Sequence, residues 1–180
     1  MIVAVEKQFK QVESQREQVL NDVMQLSHDQ QNFKPDPESW SILQVLNHLI
    51  YSETNMVKYL QKKLLGVEST EKAGIQSSVR STLLNIFLKL PIKYKAPYAA
   101  MPQQEEVYVF DNLKKQWDEV RAEFGKILDQ LDTASANKLI FKHPVAGRFN
   151  IYQTLSFLQE HIDHHKKQIE RIKKSSVFPS

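Results

Sequence analysis

Six histidines are the residues of this chain best suited to chemistry, and three fall together in His161-Ile162-Asp163-His164-His165. An H-x-x-x-H spacing on a helix sets two imidazoles one turn apart on one face, where both can reach one ion. Take a wheel of about 100° per residue with His165 at zero. Leu158, Ile151 and Ile169 then fall at about +20° to +40°, and Ile172 at about −20°. His161 falls at about −40°, inside that apolar sector, and His164 at about −100°, at its edge. His161 and His165 therefore point inward and His164 flanks them. Two polar rings buried side by side need partners, and one cation satisfies both. The alternative is a pair of core histidines, each hydrogen-bonded to a carbonyl or carboxylate.

A third ligand has to come from another helix, and His48 is the candidate. If its helix runs antiparallel to the histidine-rich one, the two sites lie at the same level. The wheel places His48 off the Leu46–Glu53–Leu60 seam, on a stripe with Val45, Ser52, Met56 and Tyr59, so a satisfied core histidine stays open as the other reading. His143 precedes Pro144 in an irregular loop; it is read as a surface histidine with the reach of a site mouth. His28 sits near the end of the first helix, where a cation suits the dipole, and is given no function. Asp163 points outward and is read as surface.

Two charged residues interrupt apolar seams. Arg16 and Glu53 lie at nearly equal distances from the turn between the first two helices, so they are expected to pair inside the bundle. Arg16 could instead snorkel to solvent. Glu53 could instead orient a ligand histidine or act as a general base, which makes it the candidate catalytic residue.

Four long segments must position these residues. Their apolar seams recur at spacings of three and four: Val5 to Leu26, Ile42 to Leu60, Phe110 to Leu131 and Ile151 to Ile172. Ser41 with Gln44, and Asn150 with Gln153, fit capping boxes that start the second and fourth helices. Trp40 precedes the first of these caps and could pack on Val45 as a hydrophobic staple. The short Pro-containing turn from Gln30 to Ser39 makes the first two helices an antiparallel hairpin. The long connector from Gly66 to Pro102 can cross the bundle. It is expected to hold a short helix with Val79, Leu83, Ile86, Phe87 and Leu90 as an apolar face packed on the bundle. Pro91, Pro97 and Pro102 then keep the chain extended. Residues from Thr133 to Phe149 join the last two helices, with His143-Pro144 and Gly147 breaking helicity.

The fold class expected is all-α: a four-helix bundle in one domain over 1–180, with its core at about 5–173. Only four glycines are present, too few for a fold built on tight β-turns or phosphate-cradling loops. Cysteine is absent, which excludes disulfides, thiolate metal sites and cysteine nucleophiles, so any thiol chemistry needs a small-molecule thiol. The net charge of +3 is mild and scattered, and no nucleic-acid partner is expected. No apolar run approaches the ~20 residues of a membrane span, and no signal-peptide core precedes Glu6 and Lys7. No membrane partner is expected, and the chain is read as cytoplasmic.

Three blocks carry a family resemblance: Trp40-Ser41 leading to His48-Leu49, then His143-Pro144-Val145-Ala146-Gly147, then His161-Ile162-Asp163-His164-His165 running to Gln168-Ile169. In order and spacing the chain resembles the DinB/YfiT-like superfamily over roughly residues 5 to 173. The resemblance implies an up-down-down-up bundle, a three-histidine site at His48, His161 and His165, and a divalent metal: zinc or nickel first, iron or manganese next. It also implies homodimers, and relatives include transferases that use a low-molecular-weight thiol. Three functions follow as expectations: a metal-dependent thiol S-transferase acting on electrophilic small-molecule substrates, a metal-dependent hydrolase, or a non-catalytic metal-binding bundle.

Overall fold

The computed structural model describes residues 1–90 and 107–180. In chain order its helices are α1 (Val3–Met24), α2 (His28–Asn32), α3 (Ile42–Leu64), α4 (Ile75–Lys89), α5 (Phe110–Asp129), α6 (Thr133–Ala136) and α7 (Ile151–Lys173). A two-stranded antiparallel hairpin, β1 (Phe141–His143) and β2 (Gly147–Phe149), precedes α7. The fold is thus the all-α bundle that the four seams predict, with α1 packed on α7, α3 on α5, and α3 also touching α7.

The seams form one continuous core. Trp117, Phe124, Leu46, Leu49, Leu155 and Phe149 are fully buried in it. Each such side chain contributes about 1.5–3 kcal/mol relative to exposure. Both predicted capping boxes are present. Ser41 accepts from the Gln44 N–H at 3.2 Å while Gln44 accepts from the Ser41 N–H at 3.0 Å. Asn150 and Gln153 do the same at 2.9 and 3.1 Å. These caps satisfy orphan amide donors and fix where α3 and α7 begin, hence the rotation of every residue that follows.

Four local expectations are corrected. First, α1 ends at Met24, and Ser27 opens the separate helix α2 with its own capping box. His28 is the first residue of α2, at the positive end of a dipole rather than the negative end of α1. Second, the irregular loop around His143 is a hairpin in which Phe141 faces Phe149 and His143 faces Gly147. Strands of three residues are too short to show a period of two. Third, α4 does not seat through its apolar face. Val79, Leu83 and Ile86 are 52–61% exposed. The face laid on α7 carries Ser77, Ser81, Leu84 and Leu88, with an Asn85 amide donating to Ser156 Oγ at 2.8 Å. Small serines let the helix come close, and that contact outweighs the larger side chains. The extended course through Pro91, Pro97 and Pro102 lies outside the described residues.

Fourth, Arg16 and Glu53 do not pair. Each finds its partner on α5. Glu53, 1% exposed, accepts from the Trp117 indole N–H at 2.8 Å and from the Arg121 guanidinium at 2.6 Å. Arg16 donates to Asp118 and to Glu13, and Arg121 also lies 3.1 Å from Glu13. The expected pair becomes a chain of charges running α3–α5–α1. Arg121, one turn after Trp117, is the residue the seam analysis passed over. No described helix is long and apolar enough to cross a membrane.

Removing one member of a buried ion pair strands the other, at about 3–5 kcal/mol. Glu53→Ala is therefore expected to lower the unfolding free energy, measured by urea titration, by that much. A loss below about 1 kcal/mol would show that Arg121 reaches water when freed.

Candidate metal centre

His48 lies seven residues past the Ser41 cap on α3, and His161 and His165 lie one turn apart on α7. All three are buried, at 5–8% exposure. His161 Nε2 sits 3.3 Å from His48 Nε2 and 3.2 Å from His165 Nε2. One nitrogen from each ring lies within 4.8 Å of the others.

Without a cation this arrangement is poorly satisfied. A neutral imidazole Nε2 offers either one proton or one lone pair. His161 Nε2 cannot serve both neighbours. The third ring has its tautomer set from outside: His165 Nδ1–H donates to Gln168 Oε1 at 2.8 Å, leaving its Nε2 lone pair turned inward. The Nδ1 atoms of His48 and His161 are also buried without a partner among the described residues, a shortfall that an ion held at Nε2 does not relieve. The two spacings at His161 match the ~3.3 Å edge of a tetrahedron whose centre lies about 2.0–2.1 Å from each nitrogen, the zinc–imidazole distance. The residues present therefore fit a divalent ion, with a fourth position left for a small ligand. Burial holds the His48 pKa down at about 4 and pushes those of His161 and His165 well below the ordinary histidine value. All three rings are neutral near pH 7, the form that ligates.

His48 and His161 border an open cavity of about 900 Å³ lined by α3, α4, the hairpin and α7. Its lining includes His48, Ser52, Met56, Tyr59, Phe157 and His161. The off-seam stripe of α3 is thus the cavity wall. That resolves the wheel's objection to His48: a helix in the middle of a bundle has two inward faces. Trp40 packs against the His48 ring at 5.2 Å, and Phe157 stacks on His161 at 5.1 Å.

The other candidates separate cleanly. His164 is half-buried outside the cluster, where its Nδ1–H donates to the Leu88 carbonyl at 2.9 Å and ties α7 to the end of α4. Glu53 has both carboxylate oxygens engaged by α5, and the residue that orients a ligand imidazole is Gln168. In the sequence Gln168 stands in the block of family resemblance, three residues after His165, with no role attached to it. His143 is not a surface histidine. Its ring meets Phe157 edge-on at 4.8 Å and lines the cavity, with burial holding its pKa down at about 4. Asp163, also expected at the surface, is half-buried and accepts from Gln15 at 3.0 Å.

A model of the DinB superfamily matches residues 10–169. The chain belongs to the DinB superfamily. A curated relative, the Bacillus subtilis (strain 168) protein YuaE, is 25% identical over 153 residues, covering 85% of this chain and 89% of its own length. YuaE is described as uncharacterized, so it carries no activity to this chain. No solved structure matches significantly. Family membership accounts for the bundle, and the convergence of His48, His161 and His165 gives this DinB member a group able to hold a metal ion.

The lowered histidine pKa values set a pH dependence for the metal-free protein. His48 takes its proton near 6.5 when unfolded but only near 4 when folded. The unfolded chain thus binds more protons between these limits, and stability must fall as pH drops from 6.5 toward 4. His48 alone accounts for about 3 kcal/mol by pH 4. Urea midpoints measured from pH 7.5 to 4.5 should decline steadily, above the range where ordinary carboxylates titrate; a flat profile would contradict the burial of neutral rings.

Proposed function

We propose that this DinB protein is a divalent-metal enzyme that joins a low-molecular-weight thiol to an electrophilic small molecule held in the cavity. The observation that supports the reading is the convergence of three neutral, buried imidazoles, two of which, His48 and His161, line a 900 Å³ apolar cavity. His48, His161 and His165 would hold the ion through Nε2, with zinc or nickel the first candidates and iron or manganese the next. An ion held by three imidazoles supplies Lewis acidity at an open position, lowering the pKa of a thiol by several units.

The chain's own residues do the rest. Gln168 fixes the His165 tautomer. Met56, Leu84 and Phe157 offer an apolar bed for the substrate body and exclude water from it. With no cysteine in the chain, the sulfur must arrive on a small molecule. The reaction is a displacement in which sulfur bonds to the electrophilic carbon, the leaving group takes the electron pair, and the thiol proton passes to solvent. We further propose a cytoplasmic site of action, where such thiols stay reduced.

Purified protein is expected to carry stoichiometric divalent metal by mass spectrometry, and His161→Ala to carry almost none. Unchanged metal content in that variant would overturn the ligand assignment. Thiol conjugation to a bimane-type electrophile should disappear on metal removal and return on reloading. Metal-dependent ester hydrolysis without conjugation would replace the transferase reading with a hydrolase. Gln168→Ala should weaken metal affinity about 10- to 100-fold in chelator competition, since Nδ1 of His165 loses its acceptor.

A further inference from the structure

The cavity has a second polar feature, away from the three histidines. Its described lining includes two cations, Arg80 of α4 and Lys142 of β1, and no carboxylate. Neither cation has an ion pair or hydrogen bond among the described residues, whereas Lys89 on the same helix as Arg80 is paired with Glu160. Arg80 is seated by a backbone device. Gly147 has φ +89°, a conformation in which glycine is favoured, and its missing Cβ leaves room for the Arg80 guanidinium 3.2 Å from where that carbon would stand. Gly147 is also the cross-strand partner of His143. His143 accepts at Nδ1 from the backbone N–H groups of Val145 and Ala146, at 3.2 and 3.0 Å. Its proton therefore sits on Nε2, making the ring a neutral donor at the cavity wall.

We propose that the hairpin side of the cavity is a carboxylate-binding subsite formed by Arg80, Lys142 and the Nε2–H of His143, so that the ligand is a carboxylic acid with an apolar body. A guanidinium receives a carboxylate bidentately, Lys142 adds positive charge from an exposed position, and the neutral N–H donor of His143 adds direction. The apolar walls, Met56, Leu84 and Phe157 among them, take the body. A single negative charge on an apolar frame matches this division, and a phosphate dianion would bring a larger desolvation cost. The subsite rests on the reading of this cavity as the substrate pocket. It does not rest on the metal.

The test uses the full chain freed of metal with a chelator, so that a carboxylate cannot bind through the ion. Calorimetric titration compares 4-phenylbutyrate with its neutral amide, 4-phenylbutyramide. The acid should bind about tenfold more tightly. That preference should shrink in about 0.5 M salt and vanish in Arg80→Gln, a substitution at an exposed side chain that leaves the core untouched. Lys142→Gln should reduce it by a smaller factor. Equal binding of acid and amide, no binding of either at millimolar concentration, or a preference that survives Arg80→Gln would each overturn the proposal. Metal uptake, measured on a separate sample, keeps the two readings apart. A chain that takes no metal yet prefers the acid sinks the metalloenzyme reading alone. A chain that takes metal without preferring the acid sinks the subsite alone.

Discussion

Three imidazole nitrogens share a space in which they cannot satisfy one another, and much of the molecule is organised around that fact. His161 Nε2 faces both His48 and His165 at hydrogen-bond distance and can answer only one. Buried polar groups left in this state cost free energy, and the cost is tolerable when a cation takes all three lone pairs. Satisfying that requirement takes two helices at one level and one rotation. The capping boxes at Ser41 and Asn150 set where α3 and α7 start, and the regular helix then carries His48 and the α7 pair to meeting points seven to fifteen residues on.

The two inward faces of α3 have different tasks. One is bound to α5 by apolar packing and by the Glu53–Arg121–Trp117 network, which continues through Glu13 and Arg16 of α1. A buried charge network adds little net stability but tolerates few alternative packings, and here it restricts how α3 can rotate. The other face carries His48, Ser52, Met56 and Tyr59 and borders the cavity. Holding one face rigid keeps the other in place for the site, which is why Glu53 belongs to the scaffold although it lies one helical turn beyond the histidine level.

The cavity lies against α3 and α7 and is completed by parts of the chain outside the four long helices. Helix α4 and the β1–β2 hairpin close it, and His164 and Asn85 hold α4 to α7. Membership of the DinB superfamily accounts for the bundle. The chemistry that such a centre could perform is decided by these walls, since they determine which molecule would reach an ion held there.

Much was legible in the sequence. Periods of three and four named the four helices, the box residues named two of their starts, and the spacing of His161 and His165 placed two rings on one inward face. Each of these is a local property, carried by residues within one or two turns of each other. His48 joined them through family resemblance, since its own wheel position spoke against it. The rest depends on contacts far apart in the chain. Which helix receives Arg16 and Glu53 follows from the placement of α5 beside α3, and the periodicity of α4 could not say that the face with Ser77, Ser81, Leu84 and Leu88, not the one with Val79, Leu83 and Ile86, would meet α7. The role of His143 appears only when a three-residue hairpin, too short to leave a periodic signal, folds back and turns its ring toward the cavity. Sequence determined the elements and the ligand pair because helical geometry is local; tertiary structure decided the partners, the third ring and the pocket because packing is a property of surfaces brought together from distant parts of the chain.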